Sequence, residues 1–406
     1  MRITGRMGDA LAGQTTTGCD EEIVCEMKTV SSAFFCQTPY QMLASIALFR
    51  MTGGEADLFI IPSFQNAEKY AENVRNLNMF RRVKVVDTKF ILGDTRGKSA
   101  LSLRFGIVRK YFRIDEIGEH ILYPDTRYQR MYVSSKAFIP RMAYFYSVKH
   151  NIEPELVYYD DGEGSYDFRF RIEPTLLDKI ARFLVVGKNA ANAGNKLYLY
   201  NPELYLKING DSNKENLFAI NNDFADASFR RMVSAVFEIG ESDLIREKAI
   251  ILDMIKQLKY SRTETERIDQ VYERILDCFS SKDTIMKRHP RDKSAYRLAI
   301  KRYGNDAIPF EALCTQMDMS SKVLVGIYST SLVIPKMLLD REPTVILLYK
   351  LFKRLSQSSE ARAKQDMFYR SFQDAYRLPN KFFIPETLDE LDAALRIASG
   401  NPDFGK

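Results

Sequence analysis

Short apolar, β-rich runs alternate along this chain with longer stretches of helical period, twice over and with a polar gap between the two series. In the first series the period-two or fully apolar runs are Ala33–Cys36, Asp57–Ile61, Val83–Val86, Met131–Val133, Leu156–Tyr159 and Leu197–Tyr200. Helical patterns intervene, such as Tyr40–Met51 behind the start signal Thr38-Pro39, and Ala67–Leu77. The second series offers strands at Ala249–Leu252, Thr284–Arg288, Lys322–Val325 and Thr344–Leu348. Its helices are expected over Glu264–Cys278, around Phe310–Cys314 and over Leu332–Leu339. Strand–helix alternation of this kind predicts βαβ units and parallel sheets. The stretch Ile208–Ser228 is rich in Asn and Asp with little apolar period, and reads as a loop or linker. The expectation is an α/β protein with two Rossmann-like domains facing across a cleft, over residues 29–228 and 229–406, with the last helix free to cross back. Residues 1–28 are polar and lack the apolar centre of a signal peptide, so a tag, leader or disordered start is expected there.

Composition narrows this only a little. A chain of 406 residues is too long for one ordinary core, which agrees with two domains. The net charge of +6 suits an anionic substrate or a membrane surface, and is too weak to argue for nucleic acid. The five cysteines, Cys19, Cys25, Cys36, Cys278 and Cys314, are odd in number and widely spread. They lack zinc-ligand spacing, so reduced thiols, a cytoplasmic location and no structural metal are expected. No run of 18 apolar residues exists, so no membrane-spanning segment is expected.

Four loops are candidates for chemistry. The first is Tyr158-Tyr159-Asp160-Asp161-Gly162-Glu163-Gly164, where an aromatic strand runs into two carboxylates and two turn-forming glycines. A carboxylate held there is suited to general-base work on a sugar hydroxyl, although Asp and Gly are also ordinary turn residues. The second is Lys287-Arg288-His289-Pro290-Arg291, which holds one of only three histidines. Proline ends regular pairing, so His289 is expected at the carboxyl end of a strand, where open α/β sheets bind ligands. Among cations it suits an anionic ligand as donor or general acid. His120 and His150 sit in charged helical contexts and read as structural. The third loop, Gly326 to Ser331, places Ser329, Thr330 and Ser331 before an apolar helical pattern, where hydroxyls cap a helix or hold an anion. It lacks the lysine and glycine spacing of a P-loop. The fourth is Ile308-Pro309-Phe310-Glu311, whose carboxylate either favours a helix start or accepts hydrogen bonds from ribose hydroxyls.

Taken in order, these motifs resemble the bacterial sialyltransferases of GT-B fold. The opening Phe34-Phe35-Cys36-Gln37-Thr38-Pro39-Tyr40-Gln41 resembles family 52 glycosyltransferases, which include lipooligosaccharide sialyltransferases. The resemblance implies inverting, metal-independent transfer from CMP-sialic acid to a galactose hydroxyl of a surface glycan, without a cofactor. It makes residues 29–228 the acceptor side, with Gln37, Thr38 and Gly162 in the cleft, and residues 229–406 the CMP-donor side. Asp161 is then the base, with Asp160 as fallback and Glu264 or Asp269 as alternatives. His289 would assist the leaving phosphate, Ser329, Thr330 and Ser331 would hold it, and Glu311 would bind ribose or cytosine. Lys287, Pro290 and Arg291 would complete the donor site. Capsule or polysialic acid synthesis, another nucleotide-sugar transferase and a non-catalytic nucleotide-binding scaffold are the rival readings. Tyr349–Leu355 is a basic amphipathic stretch that either packs on the core or rests on anionic lipid at the inner membrane. The linkage is left open, and the oligomeric state is left open to a homodimer.

Overall fold

The apolar runs are buried on both faces, as strands of parallel sheets covered by helices must be. Phe34, Phe35 and Cys36 are each at most 1% exposed, and Phe34 stacks on Tyr132 of a neighbouring strand with ring centroids 4.3 Å apart. The computed structural model describes residues 28–93, 109–134, 137–166, 196–210, 214–221, 226–253, 261–289, 299–352 and 359–401, with a few single residues besides. Most of the proposed leader, along with Cys19, Cys25, Pro290, Arg291 and Lys353–Leu355, lies outside them.

The first sheet holds β1 (Lys28–Cys36), β2 (Ala56–Ile60), β3 (Arg82–Val85), β4 (Thr126–Val133), β5 (Glu155–Tyr159), β6 (Leu197–Leu199) and β7 (Leu217–Ala219). Its order is β3-β2-β1-β4-β5-β6-β7, with every pairing parallel. The second holds β8 (Ala249–Leu252), β9 (Thr284–Lys287), β10 (Lys301–Arg302), β11 (Val323–Gly326), β12 (Thr344–Leu347) and β13 (Phe382–Phe383). Its order is β10-β9-β8-β11-β12-β13, again parallel throughout. Both orders reverse direction at a switch point, β1/β4 and β8/β11, which is the Rossmann arrangement. The two Rossmann-like units expected from the alternation are therefore present.

Two expectations need correcting, and one open choice is narrowed. The polar stretch read as a linker contributes β7, and a helix Pro202–Asn209, capped by the Asn201 side chain, runs into it. A three-residue edge strand needs little apolar period, which is why composition hid it. In the stretch Tyr349–Leu355 the described residues Tyr349–Phe352 pack on the core, the first of its two readings, with Tyr349–Leu351 as a 3-10 turn. Tyr349, Leu351 and Phe352 are at most 6% exposed, and Lys350 pairs with Glu386 and Asp366. The helix expected over Leu332–Leu339 begins only at Ile334, after a 3-10 turn Thr330–Leu332.

The halves join through several elements. The helix Ala227–Phe237 lies against both Ala67–Asn76 and Phe310–Cys314. Tyr70 donates its hydroxyl to the Ala307 carbonyl at 2.9 Å. The helix Ser359–Ala375 crosses to the first half, where Phe368 meets Tyr166 and Asp374 pairs with Lys207. The last helix, Leu388–Ser399, packs on Arg262–Phe279 of its own half, through Arg274 and Asp392.

Candidate functional site

In each sheet the loops that follow the strands leave from the carboxyl edge. The segments after β1 and β5 in one half, and after β9 and β11 in the other, are four such loops. They meet across the cleft. Gly162 has a φ of +82°, and a methyl placed on it would lie 3.2 Å from Thr330 Cγ2. Glycine is needed there for its left-handed backbone and for the close approach of the two loops.

The adjacent carboxylates of the acidic loop have separate environments. Asp160 is 0% exposed and accepts four hydrogen bonds. Tyr40 Oη (2.9 Å) and the Gly162 amide (2.8 Å) donate to Oδ1, while Tyr166 Oη (2.8 Å) and the Tyr200 amide (3.1 Å) donate to Oδ2. Every oxygen is committed, so Asp160 ties the loop to β6 and to the helix Pro39–Thr52 and has no lone pair for a substrate. Asp161 points the other way. Its amide donates to Ser165 Oγ, and its carboxylate takes a hydrogen bond from Gln41 Nε2. Burial raises its pKa to about 6; the Gln41 bond opposes this and the neighbouring Asp160 charge adds to it. A carboxylate of that basicity, at the cleft and held by Gln41 among the described residues, suits a general base near neutral pH.

Gln41 is the residue that sequence reasoning passed over. Thr38 Oγ1 accepts from the Gln41 amide at 3.1 Å, and Gln41 Oε1 accepts from the Gln37 amide at 2.6 Å. The pattern is close to a capping box, Thr-x-x-Gln, and turns the Gln41 side chain back over the helix start. Its side-chain Nε2 group is thereby aimed at Asp161. The spacing was legible in the sequence, and only its meeting with residue 161 was not.

On the other side, β9 ends at Lys287, and His289 follows two residues later in an exposed position. Lys287 is 5% exposed, and among the described residues its Nζ meets no hydrogen-bond partner. It lies 4.8 Å from the Tyr303 ring centroid. Burial lowers its pKa to about 8, against the pull of Asp306 and Glu311. A buried ammonium lacking an acceptor is costly and is commonly relieved by an anion. Arg288 pairs with Asp306 at 3.0 Å beside it. Glu311 accepts from Ser331 Oγ at 3.0 Å, and Ser329 Oγ accepts from the Ser331 amide at 3.2 Å. Lys287, Glu311, Ser329, Thr330 and Ser331 thus belong to one neighbourhood. The helix beyond is only six residues long, so hydroxyls and lysine, rather than a helix dipole, would hold an anion here.

The remaining candidates lie elsewhere. Glu264 and Asp269 sit on the helix Arg262–Phe279, the former 3.9 Å from Arg267. His150 pairs with Asp115 at 2.9 Å, and His120 stacks on Phe90. Cys36, Cys278 and Cys314 are free thiols, the first and last buried. Among the described residues no group of three or more His, Cys, Asp or Glu could hold a metal ion, and no helix is long and apolar enough to cross a membrane.

Comparison with known proteins bears on both the fold and the family. No curated protein matches. UDP-GlcNAc 2-epimerase from Methanocaldococcus jannaschii is structurally similar, with a TM-score of 0.50 at 11% identity, covering 92% of this chain and 94% of that one. It supports the GT-B arrangement of two Rossmann-like units and nothing about chemistry. Spinosyn rhamnosyltransferase SpnG is more distant, with a TM-score of 0.39 at 8% identity over 91% of this chain and 89% of that one. The family described as Alpha-2,8-polysialyltransferase (POLYST) matches residues 33–348, a span that takes in all four loops. It is a sialyltransferase family, as the motifs suggested. The chain belongs to the alpha-2,8-polysialyltransferase family.

Proposed function

We propose that the protein transfers sialic acid from CMP-sialic acid to a glycan hydroxyl with inversion, and that Asp161 is the base. The observation that carries this is the meeting of Asp161-Gly162 with Thr330, which brings a carboxylate of raised pKa beside a loop of hydroxyls and a buried ammonium. In this reading Asp161 takes the proton from the acceptor hydroxyl as its oxygen attacks C2 of the sialic acid. The C2–O bond to phosphate breaks, and its electron pair leaves with CMP. Lys287, Ser329, Thr330 and His289 stabilise that departing charge, which is where an oxocarbenium-like transition state benefits most. Glu311, already bonded to Ser331, receives the ribose hydroxyls. Lys287 places a positive charge at the phosphate, and transfer in the presence of EDTA is the corresponding expectation.

The family description favours an acceptor that already ends in sialic acid, extended through its 8-hydroxyl, as in capsule-type polymers. A terminal galactose of a lipooligosaccharide is the second reading, favoured by the Phe34–Gln41 motif. Incubation with CMP-sialic acid and EDTA, using sialylated oligomers in one arm and lactose in the other, separates them. CMP release tied to a lengthened oligomer supports the first, and sialyl-lactose supports the second. Folded protein that releases no CMP with either acceptor overturns the proposal.

A further inference from the structure

One helix touches both sides of the cleft, and it does so with adjacent residues. The helix Ser359–Ala375 follows β12 in the chain and crosses to the first half. Its Phe368 meets the Tyr166 ring with centroids 5.9 Å apart. Its Tyr369 meets the Tyr349 ring at 5.5 Å, and Tyr349 in turn meets Tyr328 at 5.4 Å. These rings are buried: Tyr166, Tyr349 and Tyr369 are 0% exposed, Phe368 3% and Tyr328 7%.

Both contacts lead to a loop of the site. The Tyr166 hydroxyl donates to Asp160, which also accepts from the Gly162 amide, so Phe368 backs the loop that carries Asp161. Tyr328 immediately precedes Ser329, so Tyr369 backs the hydroxyl loop by way of Tyr349. The two loops approach each other at Gly162 and Thr330. Polar contacts fix the helix on both sides. Asp366 accepts from the Tyr349 hydroxyl and pairs with Lys350 at 3.2 Å, both in the second half, while Asp374 pairs with Lys207 of the first at 2.9 Å. Burial raises the Tyr369 phenol well above its usual pKa, and the Glu163 carboxylate of the acidic loop adds to this. The Tyr369 hydroxyl meets no partner of hydrogen-bonding geometry among the described residues, with the buried Gln365 side chain beside it. The ring, rather than the hydroxyl, is what Tyr369 contributes.

We propose that Phe368 and Tyr369 are positioning residues that set the separation of the Asp161 loop from the Ser329–Thr330 loop. Close-packed rings transmit a displacement instead of absorbing it. A misplacement of about 1 Å between reacting groups costs on the order of 10²-fold in rate. The proposal rests on the reading above, in which the two loops act on one substrate.

The test is steady-state kinetics on the whole protein with CMP-sialic acid and either the sialylated oligomer or lactose, whichever wild type uses. The CMP-induced rise in unfolding midpoint is measured beside it. Phe368→Leu and Tyr369→Leu are expected to lower kcat by about 10- to 100-fold, with the donor KM within about threefold of wild type and the CMP-induced rise retained. Tyr369→Phe keeps the ring and should show wild-type kcat at undiminished stability. Phe368→Met, closer to phenylalanine in volume, is the ringless variant if leucine leaves the chain unfolded. Leucine variants with kcat within about threefold of wild type overturn the proposal. So does a parallel loss of kcat and of the CMP-induced rise, which marks general support of the fold. A Tyr369→Phe variant as slow as Tyr369→Leu also overturns it, by moving the role to the hydroxyl. Wild type without turnover overturns the proposed reaction and this assignment together, whereas active wild type with unaffected variants overturns the assignment alone.

Discussion

Lys287→Met should make the protein more stable and much less able to bind CMP. Folding drops the pKa of Lys287 from 10.5 to about 8, chiefly through burial. Each tenfold loss of proton affinity is about 1.4 kcal/mol, so keeping this ammonium charged at neutral pH costs about 3 kcal/mol. Methionine fills similar volume without charge and retains contact with Tyr303. That figure already includes the pull of Asp306 and Glu311, and part of the gain is offset by imperfect packing of the new side chain. The net expectation is about 1–2 kcal/mol of added stability. The pH dependence gives a sharper sign. The folded amine holds its proton less tightly than the unfolded one, so unfolding takes up a proton between pH of about 8 and 10.5. Wild-type stability therefore gains from this group as pH rises through that window, and the variant lacks that contribution. Thermal unfolding of both proteins from pH 7 to 10, with and without CMP, is the assay. CMP should raise the wild-type midpoint and leave the variant nearly unmoved. A variant that is less stable than wild type at pH 7, or that CMP stabilises equally, would refute the view of Lys287 as an uncompensated cation awaiting a phosphate.

Two further substitutions examine the acidic loop. Asp160→Asn replaces an acceptor of four donors by a group with its own N–H bonds, leaving buried Tyr40 or Tyr166 unpaired. A loss of roughly 2–4 kcal/mol in denaturant unfolding is expected, and unchanged stability would remove Asp160 as the anchor. Gln41→Ala deletes the hydrogen bond that holds down the Asp161 pKa, so the acid limb of the pH–rate profile should move above 6 with modest loss of rate. A limb that stays in place would show that Gln41 does not govern the base.

Much of this was legible in the residues, and the exceptions have physical causes. β1 and β5 stand out because each ends in a continuous apolar run, Ala33–Cys36 and Leu156–Tyr159, and Phe310–Cys314 is the helix its Pro-Phe-Glu start implied. The edge strands β7, β10 and β13 escaped, since two or three residues carry no usable period. The division of labour between Asp160 and Asp161 was out of reach. Successive residues leaving a strand face opposite ways. Which one is buried depends on Tyr40, Tyr166 and Tyr200, which only the fold brings together. Lys287 and Glu311 were singled out by position alone, and their shared neighbourhood comes from the strand order β10-β9-β8-β11.

The central claim is that Asp161 deprotonates the acceptor in the cleft. Its most direct measurement is kcat/KM for CMP release against pH, in wild type and Asp161→Asn. The base must be ionised, so the wild-type rate should rise through pH of about 6 and level off, before falling above about 8 as Lys287 loses its charge. Asp161→Asn should lower the rate by about 10²- to 10⁴-fold and abolish the acid limb, while CMP still stabilises the folded protein. A variant within a few-fold of wild type that keeps the limb near 6 would contradict the account and move the base elsewhere.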